Sequence, residues 1–166
     1  MMRLSEQGGD QSSGGGNPPS TMASPVKAPP VAQLIAIVED EPNVAATFRD
    51  IFEYERGWRT MMLADGQEAL DQIRRVPPDG ILLDLGLPGL DGKSLFHMLQ
   101  AWGETKKIPI LIVTGSPKWA IERLGLARCR VLYKPCEMHA LLAAMDELLA
   151  ESAAPESPSA PSASQL

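Results

Sequence analysis

The sequence predicts an α/β fold: a five-stranded parallel sheet, doubly wound, with helices on both faces. Three observations predict it. Short apolar runs alternate with stretches of helical apolar spacing from residue 33 to residue 151. The runs are close to continuously apolar, as strands covered on both faces are. Carboxylates, a hydroxyl and a lysine sit just after the runs, at the carboxyl ends of the strands, where open α/β sheets hold ligands.

Residues 33–38 form the first strand, with two Ile in a run too short for a helix. Pro42 fits the first turn of the helix that follows. Val44, Ala45, Phe48, Ile51 and Phe52 give that helix its apolar stripe, and Gly57 ends it. Residues 58–63 form the second strand. Asp65 caps the second helix, with Glu68 at capping-box spacing and Ala69, Leu70 and Ile73 facing inward. The Pro77-Pro78-Asp79-Gly80 turn leads into a third strand, 81–83, which ends at Asp84. Asp91-Gly92 opens the third helix, with Leu95, Phe96 and Leu99 inward. Residues 108–113 form the fourth strand. Ser116 and Pro117 start a fourth helix, 130–133 is a fifth strand, and a last helix runs from Glu137 to about Ala150.

Composition narrows the function. The 166 residues hold 15 Lys+Arg against 21 Asp+Glu, a net charge of −6. That balance argues against a protein that coats nucleic acid, which needs clustered cations. Two Cys cannot build a disulfide scaffold and read as reduced thiols. No run approaches the roughly 18 apolar residues of a membrane span. The first ten residues lack the apolar stretch of a signal peptide. The expectation is a cytoplasmic protein with no direct nucleic-acid or membrane partner.

The ends differ from the middle. Residues 1–32 hold five Gly and five Pro, residues 152–166 three Pro among Ser and Ala, and all eight aromatics lie between Phe48 and Tyr133. Both ends are predicted to be disordered tails. Pro155, Pro158 and Pro161 are spaced for extended polyproline geometry. The folded domain is predicted over 33–151, with no room for an output domain beside it.

The strand-end residues are Glu39, Asp40 and Glu41 after the first strand and Asp84 after the third. Thr114, Gly115 and Ser116 follow the fourth strand, and Lys134 and Pro135 the fifth. Carboxylates held close repel one another unless a cation intervenes. A few hard oxygens open to water suit Mg²⁺. Lysine and a threonine hydroxyl can serve phosphoryl oxygens, and an aspartate carboxylate is a competent nucleophile toward phosphorus. The set points to phosphoryl transfer onto Asp84.

Four segments then carry a resemblance. They are Ile37-Val38-Glu39-Asp40-Glu41, the stretch from Leu82 through Asp84 to Gly92, Ile112-Val113-Thr114-Gly115-Ser116, and Tyr133-Lys134-Pro135. Together, in this order, they resemble the receiver domain of bacterial two-component response regulators. Ala64-Asp65-Gly66-Gln67-Glu68-Ala69-Leu70 is similar to the family's second loop and helix. The resemblance implies a flavodoxin-like sandwich with Asp84 as phosphoacceptor. Glu39, Asp40, Asp84 and the main-chain carbonyl of Gly86 would bind Mg²⁺. Thr114 and Lys134 would contact the phosphoryl group, and the Lys134-Pro135 bond would be cis. The implied donor is a phosphohistidine on a sensor histidine kinase or phosphotransfer protein. The implied output is contact with a downstream protein target, and a phosphorylation-dependent homodimer stays open. The chain would be a stand-alone receiver and not an enzyme.

Some positions depart from the family pattern. Val131 stands where an aromatic usually lies, three residues before the lysine, while Tyr133 directly precedes Lys134. In an alternating strand both face away from Lys134. The prediction is an intact phosphorylation site with an altered readout. Gly86 and Ser116 occupy the positions that tune phosphate lifetime, and neither can orient water. Loss of phosphate should then follow the intrinsic site or an outside phosphatase. A receiver-fold adaptor that binds partners without switching is the alternative. A phosphatase with an Asp nucleophile would want a second Asp at Gly86.

Plainer roles suit the remaining conspicuous residues. Glu41 reads as a helix start favoured by the helix dipole, not as a ligand. His97 and His139 read as ordinary helix residues. Cys129 and Cys136 lack redox-motif spacing. Trp102 and Trp119 read as packing at helix ends, and Lys106, Lys107, Arg128 and Arg130 as solvated.

Overall fold

A computed structural model describes residues 32–153, save 124, 127 and 128. The predicted tails, apart from residues 32, 152 and 153, lie outside the described residues. Five strands alternate with five helices: β1 Leu34–Val38, α1 Pro42–Arg56, β2 Arg59–Leu63, α2 Gly66–Arg75, β3 Gly80–Leu83, α3 Gly92–Ala101, β4 Ile110–Thr114, α4 Lys118–Arg123, β5 Arg130–Tyr133 and α5 Met138–Ala153. A single 3₁₀ turn, Thr105–Lys107, precedes β4. The sheet has the order β2-β1-β3-β4-β5 and every pair is parallel. The predicted doubly wound α/β fold is therefore the observed one.

Side-chain alternation along buried strands builds two cores. On one face Ala36, Val38, Ile81, Leu83 and Ile112 pack against Ala69, Leu70 and Ile73 of α2, Leu95 and Leu99 of α3 and Ile121 of α4. On the other, Ile35, Ile37, Leu82, Leu111 and Val113 pack against Phe48 and Phe52 of α1 and Leu141 and Met145 of α5. Fully burying each Val, Leu or Ile among these contributes about 2 kcal/mol of transfer free energy. Capping then sets where helices begin. Asp65 accepts the Gln67 and Glu68 amides at 2.8 and 3.0 Å at the start of α2.

Several boundaries differ from the expectation. β2 starts at Arg59, because Trp58 leaves the ladder and packs on Phe52, ring centroids 5.4 Å apart. β4 starts at Ile110, because residues ahead of Pro109 tighten into the 3₁₀ turn. The Thr105 hydroxyl stabilises that turn by donating to the Leu99 carbonyl at 2.6 Å. Ser116 does not cap α4. The Ala120 amide bonds the Pro117 carbonyl, so Pro117 takes the cap place and the helix begins at Lys118. α5 runs to Ala153, past its predicted end near Ala150, and Leu148 and Leu149 still pack on the second core. Phe96, predicted inward, is half-buried. Arg130, predicted to be solvated, pairs with Glu147 and Glu151 of α5. Trp102 lies 4.5 Å beneath the Arg74 guanidinium, whereas Trp119 is 62% exposed. Cys129 and Cys136 pack against opposite cores, which rules out a bond between them in this fold. No helix among the described residues is long and apolar enough to cross a membrane.

Candidate functional site

The strand order reverses between β1 and β3, where the chain steps out to β2 and returns across β1. A crevice opens at such a switch point, outside the carboxyl ends of the strands. The ladder continues past the strands there. The Glu39 amide bonds the Leu63 carbonyl at 3.0 Å, the Asp84 amide bonds the Val38 carbonyl at 2.9 Å, and the Lys134 amide bonds the Thr114 carbonyl at 2.9 Å. The backbone of each of these residues is thus as fixed as the sheet itself.

Carboxylate oxygens of Glu39, Asp40 and Asp84 lie within 4.8 Å of one another. Glu39 and Asp84 are 3% and 8% exposed, while Asp40 is open to solvent. Lys134 reaches in from beyond β5. Its Nζ donates to Glu39 Oε2 at 2.6 Å and to Asp84 Oδ2 at 2.8 Å. The other Asp84 oxygen, Oδ1, accepts the Gly86 amide at 3.1 Å. Glu39 Oε1 accepts the Glu41 amide at 3.3 Å, so Glu41 serves the site through its backbone. The Lys134-Pro135 bond is cis.

The electrostatics follow from this packing. Burial holds the Glu39 carboxyl above its ordinary range, and the Asp84 charge adds to that rise, against the pull of Lys134. Burial by itself would lower the Lys134 ammonium. Its bonds to Asp84 and Glu39 and their charges outweigh that, so the group is raised and stays charged. Lys134 thus holds the place of a cation between two buried carboxylates.

Thr114, 1% exposed, ends β4 with its hydroxyl oxygen accepting the Ser116 amide at 3.1 Å. That bond leaves the hydroxyl hydrogen as a donor. Val131 is half-buried against the first core and Tyr133 is 40% exposed.

The structure thus brings Glu39, Asp40, Asp84, Gly86 and Lys134 together and sets Thr114 on the neighbouring strand end. Two contributors had no signal of their own in the sequence. The pairing of Lys134 with Glu39 joins residues 95 positions apart. Gly92, the first residue of α3, packs its Cα against the backbone of Asp84. A Cβ there would lie 2.2 Å from the Asp84 carbonyl oxygen and 2.6 Å from Leu85 Cα. Only glycine fits so close an approach.

At the start of α3, Asp91 accepts the Ser94 amide at 3.0 Å and its hydroxyl at 2.8 Å. These bonds, the amide first, hold the Asp91 carboxyl below its usual range. A lowered carboxyl stabilises the fold above its unfolded-state value, and that contribution fades as pH falls toward the folded value. Asp91→Ala is expected to cost about 1 kcal/mol at neutral pH. Urea melts should show the gap between variant and parent closing on acidification. A gap that stays constant with pH would exclude this role for the carboxylate.

Fold and pocket define a doubly wound α/β domain with three carboxylates and a lysine at its switch point. Comparison with known proteins gives that class its family. The response regulator receiver domain matches residues 35–146, and the chain belongs to that family, the receiver module of two-component signalling. Response regulator MprA of Mycobacterium sp. (strain KMS) is 31% identical over 127 residues, covering 76% of this chain and 55% of MprA. Sporulation initiation phosphotransferase F of Bacillus subtilis is 27% identical over 70% of this chain and 94% of its own length. The receiver domain of sensor histidine kinase PA1611 from Pseudomonas aeruginosa superposes with a TM-score of 0.66 and 26% identity, over 72% of this chain and 99% of that one. Its crystal structure has magnesium coordinated in the active-site cleft. The chain spans about half the length of MprA and similar curated relatives.

Proposed function

We propose that this chain accepts a phosphoryl group on Asp84 from a phosphohistidine of a sensor histidine kinase or phosphotransfer protein, in a Mg²⁺-dependent reaction, and signals by contact with a downstream protein. The observation that carries the reading is the shared environment of the Asp84 carboxylate. One oxygen is held by Lys134 at 2.8 Å, and Glu39 and Asp40 lie within 4.8 Å. Three clustered carboxylates, one of them open to solvent, fit a hard divalent cation. Glu39, Asp40, Asp84 and the carbonyl of Gly86 would hold Mg²⁺, which when bound offsets phosphoryl charge.

The residues of the chain supply the rest. An Asp84 oxygen attacks phosphorus, an O–P bond forms, the P–N bond to the donor imidazole breaks, and that nitrogen takes up a proton. The Gly86 amide keeps the carboxylate oriented. Lys134 exchanges carboxylate for phosphoryl oxygen, and the Thr114 hydroxyl donates to another. The product stays on the protein, so the chain is a signalling module and not an enzyme. The same reading places it in the cytoplasm, where phosphohistidine donors are made from ATP. The match to nearly the whole of sporulation initiation phosphotransferase F supports a receiver that can work without an appended domain.

Acetyl phosphate with Mg²⁺ tests the reading. Intact mass should show a single phosphate added, lost when the metal is chelated. No gain at millimolar acetyl phosphate would sink it. That outcome would favour the adaptor, a receiver fold binding partners without switching, which Val131 at the usual aromatic position supports.

A further inference from the structure

We propose that Gly66, at the start of α2, is a positioning residue for the phosphoacceptor: it seats the loop that follows Asp84. The inference rests on the reading of Asp84 given above. The loop, residues 85–91, has few internal bonds, and its side chains Leu85 and Leu87 are buried in the first core. Its far end meets α2. A Cβ on Gly66 would lie 2.1 Å from the Leu90 carbonyl oxygen. The obstacle is backbone, so no rotamer change relieves it. Beside it, a Cβ on Gly89 would meet Asp65 Oδ2 at 3.4 Å. The start of α2 and its cap residue Asp65 therefore face two consecutive residues of the loop, Leu90 and Gly89.

The contact reaches the site within two residues. Leu90 leads through Asp91 to Gly92, whose amide donates to the Leu85 carbonyl at 3.3 Å and whose bare Cα lies on the Asp84 backbone. Pushing Leu90 away from α2 therefore moves the wedge that supports Asp84, and with it the Gly86 amide that orients its carboxylate. Misplacement of a reacting group by about 1 Å can cost 10²-fold in rate. Gly66 itself touches no reacting atom, so its effect passes through the loop.

The test compares the full chain with Gly66→Ala and with Gly103→Ala, whose added methyl meets nothing within 4 Å. Gly66→Ala is expected to slow phosphorylation by acetyl phosphate about tenfold or more. It should also shift the Leu85 and Gly86 amide resonances, whereas Gly103→Ala should do neither. A folded Gly66→Ala protein with a lower melting temperature but parental rate and resonances would overturn the inference. Should Gly66→Ala fail to fold, Gly89→Ala disturbs the same junction more mildly, through its φ of 69°. A smaller fall in rate with the same two amides displaced is then expected, and parental values would overturn the inference. Failure of the parent to take up phosphate would sink the reading of Asp84 instead, and the amide shifts would still decide whether Gly66 positions the loop.

Discussion

Asp84→Asn is expected to take up no phosphate from acetyl phosphate and Mg²⁺ under conditions that phosphorylate the parent. The amide is nearly isosteric, so the backbone bond from Asp84 to Val38 and the wedge at Gly92 are untouched. The change is chemical. An amide oxygen is a poor nucleophile and carries no charge to share with a cation. One of the two bonds that the carboxylate accepts, from Gly86 or from Lys134, can still be made. Glu39 keeps its own bond to Lys134 and loses the charge of a neighbour that helps raise it. The variant should therefore fold, and its melting temperature should rise less with Mg²⁺ than the parent's does. A residual mass gain in Asp84→Asn would move the acceptor to Glu39 or Asp40, the other carboxylates of the cluster.

Legibility in the sequence followed how local each cause was. The three central strands were readable because strands buried on both faces are apolar throughout, as Ile81, Leu82 and Leu83 are, whereas the edge strands β2 and β5 begin with Arg and are partly exposed. The α2 cap was readable because Asp65 acts within three residues of itself. The carboxylates and the lysine were readable because each ends an apolar run. What stayed hidden depends on approach across sequence. That Trp58 turns onto Phe52 and leaves β2, or that Pro117 and not Ser116 takes the cap place of α4, is decided by packing and not by propensity. Gly66 and Gly92 read as ordinary helix starts, since a missing Cβ gives no signal until the facing backbone is known. Arg130 reads as a solvated cation until α5 sets Glu147 and Glu151 beside it.

Lys134→Met should show how far the pocket depends on the Lys134 ammonium. The substitution keeps the length of the stem and removes an ammonium bonded to Glu39 at 2.6 Å and to Asp84 at 2.8 Å. Breaking a fully buried pair costs about 3–5 kcal/mol. The lysine side chain is 24% exposed, and screening reduces this to about 2 kcal/mol here. Glu39, 3% exposed and already raised by burial, would lose the attraction of the Lys134 charge and rise further. A raised carboxyl destabilises the fold most at pH above its folded-state value, and the penalty fades as pH falls from there to the unfolded-state value. The loss should thus be largest near neutral pH and recede on acidification. Mg²⁺ offers a second remedy: at a hundred times its Kd it adds about 2.7 kcal/mol to any fold that binds it. Urea melts with and without Mg²⁺ should find the variant more dependent on the metal than the parent. Phosphorylation, by contrast, should not recover. The ammonium is a fixed donor to developing phosphoryl charge, and removing one such donor costs about 10²–10³ in rate. A variant with parental stability in the absence of metal and a parental phosphorylation rate would show that Lys134 neither balances the buried carboxylates nor serves the transfer.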